Sequence, residues 1–228
     1  MQVDKFVTSS QEALADVQDG STIHVSGFGL AGLPVDLLEA LADQGARDLT
    51  IISNNGGTGD RGLARLIAAG QVRRLVASFP RGADTRAFDE AFAAGRLEFE
   101  CVPQGTLVER IRAAGAGIGG FFTPTAYGTT LAEGKETRII DGRGYVFETP
   151  LHADVALVRG WGADALGNVI FRKTGRNFGP VMCTAATTTI VSVARRLPVG
   201  TIDPEHVVTP GIFVDRVVVD AASMAVSA

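Results

Sequence analysis

The segment Ser26-Gly27-Phe28-Gly29-Leu30-Ala31-Gly32, followed by Leu33-Pro34, is the part of this chain best suited to hold an anion. Glycine has no Cβ, so a ligand can approach the main chain there and the loop can take φ > 0. An apolar run precedes it (Ile23 to Val25) and an amphipathic run follows it (Val35 to Ala42), the layout of strand, loop and helix start. A helix start adds unpaired N–H groups and partial positive charge. Residues 27–32 form a literal Gly-x-Gly-x-x-Gly. A dinucleotide site also needs an acid about 20 residues on, at the end of the second strand. Here that strand runs into Ser53-Asn54-Asn55-Gly56-Gly57, with no carboxylate, which demotes NAD. A tight packing loop is the plainer alternative.

Asn54 and Asn55 stand where ligands bind in open α/β sheets, at the carboxyl edge. Their amides could donate to a carboxylate or thioester oxygen, or serve only to shape a turn. Val102-Pro103-Gln104-Gly105-Thr106 repeats the strand–turn–helix layout and puts Gln104 at the same edge. A side-chain amide aimed at a developing oxyanion is a strong catalytic device. The three histidines, His24, His152 and His206, lack metal-ligand spacing, and His24 reads as a hydrogen-bonded structural residue. Neither a Gly-x-Ser-x-Gly elbow nor a P-loop occurs. A chain with anion-binding loops and no nucleophile–base pair of its own reads as half of an active site.

Alternating apolar runs must position these groups. Strands are predicted over 22–25, 49–53, 72–79 and 97–102. Helices are predicted over 35–44, 61–69, 85–94 and 106–114, with a short one capped by Ser9 and Glu12 and ended by Asp19-Gly20. Such alternation argues for a parallel sheet covered on both faces. Residues 115–134, rich in glycine and threonine, read as a long functional loop. Beyond them come a hairpin about Asp141–Gly144, a second turn at Asp164–Asn168 between strands 153–158 and 169–172, a short helix over 179–186, and strands over 190–194 and 212–219. We read one α/β unit over 1–228, with a β-richer C-terminal half.

Composition narrows the class. Net charge is −4 without a basic run, which excludes a nucleic-acid footprint. No apolar stretch approaches the ~18 residues of a membrane span, and no signal peptide is evident, so a cytoplasmic protein is expected. Cys101 and Cys183 form no CxxC and read as small buried hydrophobes in a reducing compartment.

Taken in order, Asp19-Gly20, Gly27-Phe28 through Gly32-x-Pro34, Ser53-Asn54-Asn55 and Pro103-Gln104-Gly105-Thr106 with Glu109 to Ala113 resemble the alpha subunit of class I 3-oxoacid CoA-transferases. Thr123-Pro124-Thr125, Tyr127-Gly128-Thr129, Gly167-Asn168-Val169, Phe171-Arg172-Lys173, Arg176-Asn177-Phe178 and Thr209-Pro210-Gly211-Ile212 extend the resemblance over nearly the whole chain. Ser26 and His24 depart from it, standing where the family has glycine and an aliphatic residue. The resemblance implies a three-layer α/β/α fold with a mostly parallel central sheet. It implies a beta subunit whose glutamate, in a Ser-Glu-Asn-Gly motif absent here, attacks the acyl-CoA thioester. An acyl-glutamyl anhydride and then a glutamyl-CoA thioester follow. It further implies that residues 26–32 contact CoA, that Gln104 is the oxyanion donor, and that Asn54 and Asn55 line the acyl site. CoA is a substrate, and neither a cofactor nor a metal is implied. The resemblance implies a heterodimer or heterotetramer.

Within the family, Ser78-Phe79-Pro80-Arg81-Gly82-Ala83-Asp84, Phe88-Asp89-Glu90, Leu151-His152-Ala153-Asp154 and Asn177-Phe178-Gly179-Pro180 resemble the 3-oxoadipate branch rather than the acetoacetate branch. The resemblance then implies CoA transfer from succinyl-CoA to 3-oxoadipate in aromatic-compound breakdown. 3-Oxoadipate carries a second carboxylate, which arginine binds bidentately. Arg81 or Arg86 is expected to read it. Arg172, Lys173 and Arg176 occur in both branches and are left to CoA phosphates or subunit contacts.

Overall fold

Ile51 and Ile52 are sequence neighbours that feed two different cores. Side chains alternate across a strand, so a strand covered on both faces must be apolar at every position. Leu75 and Val76, Leu157 and Val158, and Ile190 and Val191 split in the same way. The computed structural model describes residues 3–80 and 82–220. Its N-terminal half runs α1 (Ser10–Ala13), β1 (Thr22–Val25), α2 (Val35–Gln44), β2 (Leu49–Asn55), α3 (Leu63–Ala68), β3 (Val72–Phe79), α4 (Arg86–Ala93), β4 (Glu98–Cys101) and α5 (Gln104–Gly115). There follow β5 (Phe121–Thr123), β6 (Thr137–Ile140), β7 (Arg143–Glu148), β8 (Ala153–Arg159), β9 (Gly162–Ala163), β10 (Val169–Ile170), α6 (Gly179–Cys183), β11 (Ala186–Val193), β12 (Arg195–Arg196) and β13 (Arg216–Val219).

Seven strands form one sheet in the order β13-β11-β8-β1-β2-β3-β4, and every pair in it is parallel. Helices α2, α3 and α4 bury Leu38, Leu66 and Phe88 against one face. Helices α5 and α6 bury Leu107, Ile111 and Met182 against the other. This is the expected α/β/α sandwich. Strand order runs outward from β1 in both directions, so the switch point falls between β1 and β8. Crevices at the carboxyl ends of strands open at such points.

The boundaries differ in instructive ways. Ser9 does cap α1, accepting from the Glu12 N–H at 3.1 Å, but the helix ends at Ala13, well before Asp19-Gly20. Strand β2 extends through Asn54 and Asn55, and α5 begins at Gln104. Residues 115–134 are not one open loop. They contain β5, which joins β6 and β7 in a small antiparallel sheet. The hairpin there turns on Asp141 and Gly142 alone, both at positive φ (49° and 77°). The second turn is closed by β9 and β10, while β8 belongs to the main sheet. Helix α6 stops at Cys183. Residues 211–213 form a 3₁₀ turn, so the last strand is only Arg216–Val219. Cys183 is buried as expected, its thiol pushed up to about 12 by burial. Cys101 is exposed instead, because β4 is an edge strand.

His24 is fully buried in β1, between Ile52 and Ala156 of the flanking strands. Neither ring nitrogen has a partner in good hydrogen-bond geometry, so the hydrogen-bonded residue read from the sequence is met only by the weaker influence of nearby backbone. Burial lowers its pKa to about 4; the backbone of Met182 and Leu151 offsets only part of this. A depressed histidine pKa means that the unfolded chain binds the proton first as pH falls. Stability is therefore complete above about pH 6.5 and declines towards pH 4. Urea unfolding is expected to show about 2 kcal/mol of loss between pH 7.5 and pH 5 that His24→Val removes.

Candidate active site

The loop after β1 is a tight turn. Phe28 N–H donates to the Ala31 carbonyl at 2.9 Å and Ala31 N–H to the Phe28 carbonyl at 3.2 Å. Gly29, at φ +59°, makes that reversal possible. At the tip, the N–H groups of Gly29 and Leu30 donate to no protein acceptor among the described residues. The side chains of Phe28 and Leu30 are 54% and 70% exposed, unusual for apolar residues this large. Ser26 lies beneath the turn, 1% exposed. Its hydroxyl donates to the Gly32 carbonyl (2.7 Å) and accepts from the Arg159 N–H (3.0 Å), so this side chain closes the loop and faces away from solvent. Asn177 ties the loop to the chain 150 residues away. Its Oδ1 accepts from the N–H of Gly27 (3.1 Å) and of Phe178 (2.7 Å), and its Nδ2 donates to the carbonyls of Ala31 (2.9 Å) and Thr174 (2.8 Å).

On one side of this loop lies a cleft of about 520 Å³. Phe28, Gly29, Asn54, Asn55, Ser78 and Gln104 are among its lining residues. The amides of Asn54 and Gln104, far apart in the sequence, meet here. Gln104 Nε2 donates to Asn54 Oδ1 at 2.8 Å, and the Ser78 hydroxyl donates to the same oxygen at 2.7 Å. Strand register explains the second contact: Ser53 pairs with Ala77 and Asn55 with Phe79, which sets Asn54 level with Ser78. Asn54 is 4% exposed and its oxygen is saturated, so only its amide remains to donate. Gln104 keeps one N–H free of protein partners among the described residues. Asn55 behaves differently, its Oδ1 accepting from the Gly57 N–H at 2.9 Å in a turn. Gln104 also borders a second cleft, with Phe121, Thr123 and Thr125, which brings the small antiparallel sheet to the site.

Sequence reasoning misses Ser78 and Asn177 as site residues. Ser78 stands at a strand end like Asn54, a signal that register alone makes readable. Asn177 lies in two of the segments that carry the family resemblance, but nothing local announces its tie to the glycine turn. Arg81 lies outside the described residues. Arg86 is exposed and spent on Asp84, at 3.0 and 3.1 Å. The three histidines do not share a site: His24 is in the core, near enough to His152 for its charge to be felt, and His206 is exposed in a 3₁₀ turn. Among the described residues no helix is long and apolar enough to cross a membrane.

On the far side of the loop lies a larger cleft of about 1000 Å³, lined by Leu30 to Leu33, Arg159 to Trp161 and Phe171 to Gly175. It opens at the switch point between β1 and β8.

A seven-stranded parallel sandwich with an amide pair and a glycine turn on its carboxyl edge matches one family along the chain. Residues 7–220 fit the family model described as Coenzyme A transferase, and the chain belongs to that family. It is 56% identical to one subunit of the 3-oxoadipate CoA-transferase of Pseudomonas putida, over 99% of this chain and 97% of that one. It is 47% identical to the corresponding subunit of the probable succinyl-CoA:3-ketoacid coenzyme A transferase of Bacillus subtilis, over 96% and 91%. Among solved structures it superimposes on an acyl-CoA transferase of Escherichia coli O157:H7, solved as a thioester complex with CoA. The TM-score is 0.85 at 25% identity, over 95% of this chain and 47% of that one. This chain thus spans about half the length of that enzyme.

Proposed function

We propose that the chain is the alpha subunit of a heteromeric transferase that moves CoA from succinyl-CoA to 3-oxoadipate, in the cytoplasm, late in aromatic-compound breakdown. One observation carries the reading. The cleft that gathers Gln104, Asn54 and the glycine turn has donors for an acyl oxygen but, among its described lining residues, no carboxylate, thiol or imidazole to attack it. The E. coli enzyme that bears CoA as a thioester is about twice as long, and the relative at 56% identity is named as one subunit of its enzyme. The nucleophile therefore comes from a beta subunit, in a heterodimer or heterotetramer.

In this reading the partner's glutamate attacks the thioester carbon. Negative charge collects on the carbonyl oxygen, where the free N–H of Gln104 and the amide of Asn54 stabilise it. The C–S bond then breaks and CoA leaves as thiolate. CoA re-adds to the glutamyl carbonyl, releasing succinate, and the acceptor carboxylate repeats these steps in reverse. CoA is a substrate, and no cofactor is required.

The test is a transferase assay on this chain with and without its partner. Activity is expected only for the complex; turnover by this chain alone overturns the half-site reading. The 56% relative supports 3-oxoadipate over acetoacetate as acceptor, and Arg81 is proposed to read the second carboxylate. Arg81→Ala is expected to erode selectivity for 3-oxoadipate over acetoacetate by about tenfold. An Arg81→Ala complex with unchanged selectivity removes Arg81 from the acceptor site.

A further inference from the structure

Helix α5 starts without a cap. Pro103 precedes it and offers no side-chain acceptor, and the first turn holds no acid. The first bond into the helix runs from the Leu107 N–H to the Pro103 carbonyl at 2.8 Å. The N–H groups of Gln104, Gly105 and Thr106 therefore donate to no protein acceptor among the described residues. They carry the positive end of a 12-residue helix. Gly105 leaves them uncovered, since a Cβ there would meet nothing within 4 Å. A second group lacks a partner at the same place. Thr106 is 4% exposed, and its buried hydroxyl makes no hydrogen bond. A hydroxyl left in that state costs free energy that a ligand oxygen would recover.

These residues line the second cleft beside Gln104, of about 420 Å³. Thr123, the last residue of β5, stands on the same cleft. Its Oγ1 accepts from the Thr125 N–H at 3.3 Å, and its own proton goes to no acceptor among the described residues. Phe121 and Phe178 supply apolar wall. Among the described residues neither lysine nor arginine lines the cleft, and its one acid, Glu109, is held by Arg112 at 2.7 Å. A helix terminus with an unpartnered hydroxyl, and no cation, suits a singly charged carboxylate better than a phosphate.

We propose that this pocket binds the free carboxylate of the succinyl donor, with Thr106 as a binding residue; this rests on the CoA-transferase reading above. Reach selects the ligand. Gln104 is common to both clefts. A thioester oxygen at its side-chain amide places the succinyl tail beside the first turn of α5. Two methylenes carry the free carboxylate no farther than one helical turn, about 5.4 Å, which brings it to the N–H groups of Gly105 and Thr106. The methylenes lie against Phe121 and Phe178. 3-Oxoadipate has four carbons between its carboxyl groups and overshoots this pocket. Gly82 and Ala83, which follow Arg81 in the chain, line the other cleft, so the two acids leave Gln104 in different directions.

The experiment is steady-state kinetics on the assembled enzyme carrying Thr106→Val, which keeps the shape of the side chain and removes the hydroxyl. KM for succinyl-CoA and the inhibition constant of succinate are expected to rise about tenfold, the loss of one hydrogen bond to a charged group. KM for 3-oxoadipate should not move. The melting midpoint should hold or rise, because valine buries no unpartnered hydroxyl. Thr106→Ser keeps the hydroxyl and should restore both constants for the succinyl group. Equal losses for the two acids, a wild-type KM for succinyl-CoA in Thr106→Val, or a lowered midpoint with loss of all activity overturn the assignment. A wild-type complex inactive on succinyl-CoA instead overturns the transferase reading beneath it.

Discussion

Replacing Gln104 by alanine is expected to lower kcat of the assembled enzyme by about 10²–10³, the usual loss on removing one oxyanion donor. Substrate KM should change little, because the amide acts on charge that develops only in the transition state. The geometry accounts for the size of the effect. Gln104 is the first residue of α5, so backbone and helix axis fix its Cα. One N–H is anchored on Asn54 Oδ1, which is itself held by Ser78. The second N–H is thereby aimed without the entropy cost of ordering a free side chain at the moment of reaction. Gln104→Glu keeps the size but loses both donors and faces the Asn54 oxygen with negative charge. It should be at least as damaging as alanine. Asn54→Ala removes the anchor and is expected to share most of the same loss rather than add to it, as coupled neighbours do. Steady-state kinetics on the three variants and the double variant decide the matter. A loss in kcat under about fivefold for Gln104→Ala excludes the oxyanion role.

Gly32→Ala should be a severely damaging addition of a single methyl group at this edge. A Cβ there would stand 2.5 Å from the Gly175 carbonyl oxygen and 2.7 Å from Asn177 Nδ2, and the residue sits at φ +72°. The left-handed backbone costs about 1–2 kcal/mol for a non-glycine residue. The clash adds to it, because the Gly175 oxygen is backbone and Asn177 is held by four hydrogen bonds. Together they come to about 2–4 kcal/mol. For a chain of this size that lowers the melting midpoint by roughly 4–16 °C. Activity should fall further than stability, at least about 100-fold, because displacement of the turn by about an ångström disturbs both clefts at once. Gly29→Ala supplies the control. It shares the left-handed backbone, at φ +59°, but its Cβ would meet open space. It should lose about 1 kcal/mol and retain substantial activity. Thermal melts and kinetics that fail to separate the two variants would show that the contact with residues 175–177 is unimportant.

Much of the fold is readable because it rests on local rules. The continuous apolar run Leu49 to Ile52 announces a strand buried on both sides, and Ile51 and Ile52 do enter opposite cores. The stop at Gly45 is a left-handed cap at φ 86°. Legibility weakens where pairing is long-range. Gly162–Ala163 is too short to announce itself, so a sequence reading joins the turn at Asp164–Asn168 to β8 rather than to β9. Residues 115–134 read as an open loop because β5 owes its existence to β7.

The candidate site divides along the same line. Sequence by itself determined the kinds of groups present: a glycine turn after the first strand, amides at Asn54 and Gln104 on the carboxyl edge, and no self-contained nucleophile–base motif. Those follow from residue identity and from position within single strand–helix units, which neighbouring residues encode. Tertiary structure alone decided that Ser78 levels with Asn54 to aim Gln104, that Asn177 clamps the turn from 150 residues away, and that the turn parts two clefts of different charge. Each depends on sheet register and crossover order, and hydrogen bonds between distant segments leave no periodicity in the chain that makes them.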